Sequence, residues 1–143
     1  MRIFTIGYEG ATQADVIAAL QQAGVTLLAD VRAVPLSRRP GFSKNILAAG
    51  LREAGIDYVG LKALGTPPAG REAARKGDHA KLREIYAAQL DLPEALVQSE
   101  QLREMAAERP TALLCFEREA SACHRSLLLE MLFATDERVD LNP

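Results

Sequence analysis

Residues 26–32 read Thr26-Leu27-Leu28-Ala29-Asp30-Val31-Arg32, an uninterrupted apolar run that turns charged at its end. A short strand without polar alternation suits a position buried on both faces, as in a parallel sheet. Its neighbours keep that pattern. Upstream, Arg2-Ile3-Phe4-Thr5-Ile6 reads as a strand that breaks at Gly7-Tyr8-Glu9-Gly10, where glycines permit unusual backbone angles. Thr12 then caps a helix with Asp15 in the capping-box position, Val16, Leu20 and Ala23 fall on one stripe, and Gly24 ends it.

Downstream, a loop reaches Phe42, and Ser43 caps a second helix carrying Leu47, Leu51 and Ala54. Ile56-Asp57-Tyr58-Val59 is a third strand. Leu64-Gly65-Thr66-Pro67-Pro68 reads as a loop too rich in Pro and Gly to be helical. Asp78 caps a helix that buries Leu82, Ile85, Tyr86 and Leu90, and Pro93 suits the first turn of another with Leu96, Leu102 and Met105. Thr111-Ala112-Leu113-Leu114-Cys115-Phe116 is the most apolar strand, 117–121 a turn and 122–133 the last helix. The polar tail from Asp136 reads as frayed. Strands separated by helices predict a single small α/β domain over 1–143, with a mostly parallel central sheet of about four strands flanked by helices. Ligands in such sheets bind beyond the carboxyl ends of the strands.

Composition narrows the classes. With 143 residues, 48% hydrophobic and 25% charged, the chain is ordinary globular material, neither disordered nor collagen-like. A net charge of -2 disfavours wide contact with a nucleic-acid duplex, so anion binding has to come from local clustering. Met1-Arg2 runs directly into a strand, with no signal-peptide core, and no apolar stretch approaches the roughly 20 residues of a membrane span. Cytoplasm is the expected address and no membrane partner is expected. Cys115 and Cys123 are the only cysteines, expected as free thiols rather than a pair.

Three groups of residues carry possible chemistry. The first is the loop after the second strand: from Val31 through Arg52 stand five basic residues and no acid. Arg32, Arg38 and Arg39 offer guanidinium forks that match phosphate or carboxylate, while Ser43 and Lys44 open a helix whose N–H groups attract anions. A solvated basic turn is the plain alternative. The second is Cys123-His124-Arg125 at the predicted helix start. There the helix dipole and Arg125 favour a thiolate, and His124 can serve as base, acid or ligand. A small buried cysteine and a capping histidine are the alternatives, and Cys115 reads as a core thiol. The spacing of Cys115, Cys123 and His124 matches no standard zinc pattern, so no metal site is assigned. The third comprises the strand-end acids Glu9, Asp30 and Glu117, which can orient arginines, act as a base or hold a magnesium ion near a phosphate. Asp30 can equally pair with an arginine to hold the loop. Tyr8 and Tyr58, near strand ends, can stack on a ring or donate a hydrogen bond.

Thr5-Ile6-Gly7-Tyr8-Glu9-Gly10, Asp30-Val31-Arg32 with Pro35, Ser37-Arg38 and Pro40-Gly41-Phe42-Ser43, Leu64-Gly65, and Cys115-Phe116-Glu117 with Cys123-His124-Arg125 together resemble the bacterial and archaeal domain-of-unknown-function 488 family. The resemblance spans nearly the whole chain and implies one α/β domain, with no settled activity to carry over. A weaker likeness joins Asp30-Val31-Arg32 and Cys115 with Arg125-Ser126 to the rhodanese and cysteine-phosphatase plan, although the loop here is longer and lacks its glycines.

The leading expectation is an enzyme acting on a phosphate-bearing substrate, a nucleotide or a nucleic-acid end. In it Tyr8, Arg32, Arg38, Arg39, Ser43, Lys44 and Arg125 bind, and Glu9, Asp30, Glu117, Cys123 and His124 supply chemistry. The alternatives are a cysteine-dependent transferase and a non-catalytic anion- or nucleic-acid-binding module. No cofactor and no oligomeric state is assigned.

Overall fold

In a computed structural model, which describes residues 1–119 and 124–143, five parallel strands form one sheet with helices on both faces. In chain order the elements are β1 (Arg2–Gly7), α1 (Gln13–Gln22), β2 (Leu27–Asp30), α2 (Lys44–Glu53), β3 (Asp57–Gly60), a 3-10 turn (Lys62–Leu64), α3 (Pro68–Arg75), α4 (His79–Leu90), α5 (Pro93–Glu108), β4 (Thr111–Cys115), α6 (His124–Leu132) and β5 (Glu137–Leu141). The sheet order is β3-β2-β4-β1-β5.

Local chemistry explains most boundaries. Thr12 and Asp15 form the reciprocal capping box at the start of α1, and the Asp78 side chain accepts from the Lys81 N–H at the start of α4. Pro93 opens α5, where its missing N–H costs nothing. Ser43 precedes α2 but makes no side-chain cap. Its hydroxyl instead accepts from the Ser37 N–H and donates to the Ser37 carbonyl, closing the basic loop on itself.

Period-2 alternation splits the strand side chains between two cores. Phe4, Ile6, Leu28, Ala112 and Leu114 pack with Val16 and Leu20 of α1 and Leu47 and Leu51 of α2. Ile3, Ala29, Val31 and Leu113 pack with Tyr86 and Leu90 of α4, Leu102 of α5, and Leu128 and Leu129 of α6. Each fully buried Leu or Ile contributes roughly 1.5–3 kcal/mol. The chain thus lays down β1, β2 and β3 with helices on one face, then places β4 between β2 and β1 with helices on the other. That reversal puts the carboxyl ends of β2, β4 and β1 side by side at a topological switch point.

Two expectations are corrected. The sheet has five strands rather than about four, because the polar tail is β5, paired along β1 from Arg2↔Glu137 to Ile6↔Leu141. Its alternation decides this: Val139 and Leu141 pack on the α1–α2 core, while Arg138 and Asp140 point to the other face. The Pro/Gly segment is loop only over 65–67: Leu64 closes a 3-10 turn and Pro68 is the first residue of α3. Gly65 fits this turn because a Cβ there would stand 2.2 Å from the Ala33 backbone N. The third loop therefore lies tightly on the second.

Candidate functional site at the carboxyl edge of the sheet

The acid at the end of β2 organises one side of the edge. Asp30 is 1% exposed, and its carboxylate accepts from Arg32 Nε at 2.8 Å and Nη2 at 2.7 Å, from the Arg32 backbone N–H at 3.1 Å and from Tyr58 Oη at 2.6 Å. Arg32 Nη1 donates to the Phe42 carbonyl at 2.7 Å and to Tyr8 Oη at 3.2 Å, and its guanidinium lies 5.4 Å from the Tyr8 ring centre. Burial alone would lower the pKa of Arg32. The hydrogen bond and charge of Asp30, with help from Tyr8, outweigh burial and push it up. Burial and Asp30 likewise raise the Tyr58 hydroxyl, which stays a phenol. The Arg32 fork thus closes the basic loop onto the sheet, and Tyr58, in the middle of β3, reaches back to the same carboxylate.

The rest of the loop is anchored by backbone acceptors. Arg39 Nη2 donates to the Ala11 carbonyl, Gln13 Nε2 to the Gly41 carbonyl at 2.7 Å, and the Lys44 N–H to the Pro35 carbonyl at 2.9 Å. Tyr8 stacks on Phe42 at 4.4 Å and 14°. Arg38 and Lys44 are exposed, and among the described residues no ion pair engages Arg38, Arg39 or Lys44. Arg39 Nε is buried without a hydrogen-bond partner.

On the other face, α6 brings two buried polar groups to the edge. His124 Nε2 lies 2.8 Å from the Val31 carbonyl, to which it donates, and its ring meets Tyr86 at 5.4 Å and 70°. Burial drives its pKa down to about 4 against the pull of that carbonyl, so the imidazole is neutral at pH 7. Arg125 is 1% exposed and donates through Nη2 to the Glu117 carbonyl, while its Nε has no partner. Burial pulls its pKa to about 10, although Asp140 and Glu117 push upward. Asp140 accepts from Thr5 Oγ1 at 2.6 Å and from Arg138 Nε at 2.9 Å. Gly7 is required where these parts converge, because a Cβ there would lie 1.8 Å from the Glu117 carbonyl oxygen.

The remaining strand-end acids flank the β4 end. Glu9 Oε1 accepts from the Arg118 N–H at 3.0 Å, and the Glu9 N–H donates to the Phe116 carbonyl at 2.9 Å. Cys115 is disulfide-bonded, which corrects the expectation of free thiols. The chain has only eight positions, 116–123, in which to return from the end of β4 to the start of α6. Cys115 is also 2% exposed, so the strand-end sulfur is buried as well as cross-linked. Glu117 Oε2 lies 3.3 Å from its sulfur, a contact only, since a disulfide sulfur carries no proton. Cys123 lies outside the described residues.

The structure therefore brings Tyr8, Asp30, Arg32 and Ser43 into or beside one network, with Arg38, Arg39 and Lys44 on the same loop. His124, Arg125 and Glu117 gather across the sheet from them, and Glu9 bridges to Arg118 just beyond β4. Sequence reasoning missed the Thr5–Asp140–Arg138 set, whose signal was the alternation of β5, and the exposed ring of Phe116. A separate cleft of about 380 Å³, lined by Met1, Arg2, Phe4, Ala106, Arg109 and Pro110, opens at the opposite, amino edge. Among the described residues no cluster of His, Cys, Asp and Glu could hold a metal ion. No helix among them is long and apolar enough to cross a membrane.

The family described as domain of unknown function DUF488 matches residues 12–132 of the 143. The chain belongs to this family. No curated protein and no solved structure matches it. The DUF488 match covers the basic loop, both buried arginines and the segment between β4 and α6.

Proposed function

We propose that this DUF488 protein is an enzyme that binds a phosphate-bearing substrate at the carboxyl edge of its sheet. One observation carries the reading: the loop after β2 is tied down by hydrogen bonds to the carbonyls of Phe42, Ala11 and Pro35, yet among the described residues Arg38 and Arg39 on it, and Lys44 at the start of α2, have no carboxylate partner. Unpaired cations held on a rigid frame lose little entropy when an anion arrives, and an arginine fork matches phosphate geometry. The first turn of α2 lacks a side-chain cap and adds partial positive charge at the same place. Across the sheet, Arg125 is a buried cation with an unused donor.

Arg32 has a different part. Its donors are spent on Asp30, Phe42 and Tyr8, so it positions the loop instead of holding the ligand. The same reasoning removes Asp30 and His124 as first choices for moving a proton: Asp30 is saturated with donors, and the neutral His124 ring is tied to Val31. Glu9 and Glu117 are the better candidates for general acid or base, being less buried and close to the β4 end.

The test is titration of the protein with inorganic phosphate and ribose 5-phosphate, comparing wild type with the Arg38→Ala/Lys44→Ala double variant. Both side chains are exposed, so the thermal midpoint stays put. Affinity falls roughly tenfold, as hydrogen bonds to charged groups require. Unchanged affinity in the double variant overturns the reading.

A further inference from the structure

Phe116 is the first residue beyond β4 and is 43% exposed, although every residue of that strand is buried. It meets the Tyr8 ring nearly at right angles, with ring centres 5.4 Å apart and 82° between planes. Tyr8 itself is buried and stacked on Phe42, so it is a fixed wall behind Phe116. Phe42 and Ser43 join the loop that carries Arg38 to Lys44, the first residue of α2. A flat apolar ring is therefore held at the switch point, two aromatic contacts (Phe116–Tyr8 and Tyr8–Phe42) from the segment that carries the cations. An exposed phenylalanine contributes little to the core, and its exposure costs solubility.

Acids neighbour Phe116 along the backbone. Glu9 donates its N–H to the Phe116 carbonyl, and Glu117 follows in sequence. Their negative charge disfavours a long polyanion crossing the edge. A ligand with one phosphate at the loop and a neutral flat ring over Phe116 meets both constraints. Bases stack on aromatic side chains whatever their sequence, because every base has a π face.

We propose that Phe116 is a stacking platform for a nucleobase, so that the ligand of this edge is a nucleoside 5′-monophosphate, free or at the end of a single strand. This inference rests on the anion-site reading above and adds the base. A sugar phosphate would leave the ring uncovered.

The chain contains no tryptophan, so Phe116→Trp places one selectively excitable tryptophan at the platform. The variant is titrated with AMP, a 5′-phosphorylated trinucleotide, ribose 5-phosphate and inorganic phosphate. Affinities of the wild type and of Phe116→Ala are measured in parallel, with far-UV circular dichroism to check folding. AMP quenches the new emission and ribose 5-phosphate does not. The wild type binds AMP about tenfold or more tightly than ribose 5-phosphate, and Phe116→Ala loses that gain while keeping its affinity for ribose 5-phosphate. Tighter binding of the trinucleotide than of AMP assigns the site to a strand end, and equal binding assigns it to the free nucleotide. If the wild type binds AMP and ribose 5-phosphate equally and Phe116→Ala changes neither, the platform is overturned while the phosphate reading stands. If none of the four probes binds, both fall.

Discussion

Arg32 and Arg125 are both buried arginines at the carboxyl edge, one on each face of the sheet, and they live in opposite electrostatic circumstances. Arg32 is paired through two nitrogens with Asp30, and its remaining donors reach a carbonyl and a phenol. Arg125 has a carbonyl on one nitrogen, an unpartnered Nε and no salt bridge among the described residues. The pKa directions follow: Asp30 more than offsets burial at Arg32, whereas burial wins at Arg125 and takes it to about 10. A charge whose partner is supplied by the fold is architecture. A charge buried without one costs stability and leaves a donor for something else.

Making the same substitution at both sites gives the largest contrast. Arg32→Met strips Asp30 of its counter-ion and frees the loop, and removing one member of a buried pair costs about 3–5 kcal/mol. Urea unfolding with an unchanged m-value reads this directly. A loss below about 1 kcal/mol would mean that the Asp30 network does not hold the edge together.

Next in size is the pH dependence from the α6 side. The folded pKa of His124 is about 4, against 6.5 for the free side chain. Between those values the unfolded chain binds the extra proton, so stability rises with pH across this window. The contribution is complete above pH 6.5 and is lost progressively as pH falls toward 4. Full loss amounts to on the order of 3 kcal/mol. Denaturation midpoints at pH 7 and pH 5 check it, and His124→Gln flattens the profile. An unaltered slope in that variant would assign the pH dependence to other groups.

Smallest is Arg125→Met. The apolar side chain removes a buried cation that, among the described residues, hydrogen-bonds only to the Glu117 carbonyl. Stability should move by less than about 1 kcal/mol in either direction, while phosphate affinity falls. A loss as large as that of Arg32→Met would erase the distinction between the two arginines.

Legibility from sequence also differs between the faces. The Asp30-Val31-Arg32 segment reads correctly as a strand end leading into a basic loop, and the Asp30–Arg32 pair is one of its open alternatives. The caps at Thr12, Asp78 and Pro93 are equally readable, because each is a contact within one turn. The α6 side is harder. Arg125 meets Glu117 across a strand end, and Asp140 reaches the region only because β5 pairs with β1 across about 135 residues of chain. The polar alternation of residues 137–141 was present to be read, but charge density made a strand look like a tail.

The sequence by itself determined the helix–strand alternation, the concentration of positive charge after β2 and the membership of one α/β class, since these follow from neighbours a few residues apart. Only the tertiary structure decided which arginine is spent and which is spare. That depends on which carboxylate or carbonyl lies within hydrogen-bonding distance once β4 has been inserted between β2 and β1, and a hydrogen bond is gained or lost over less than an ångström.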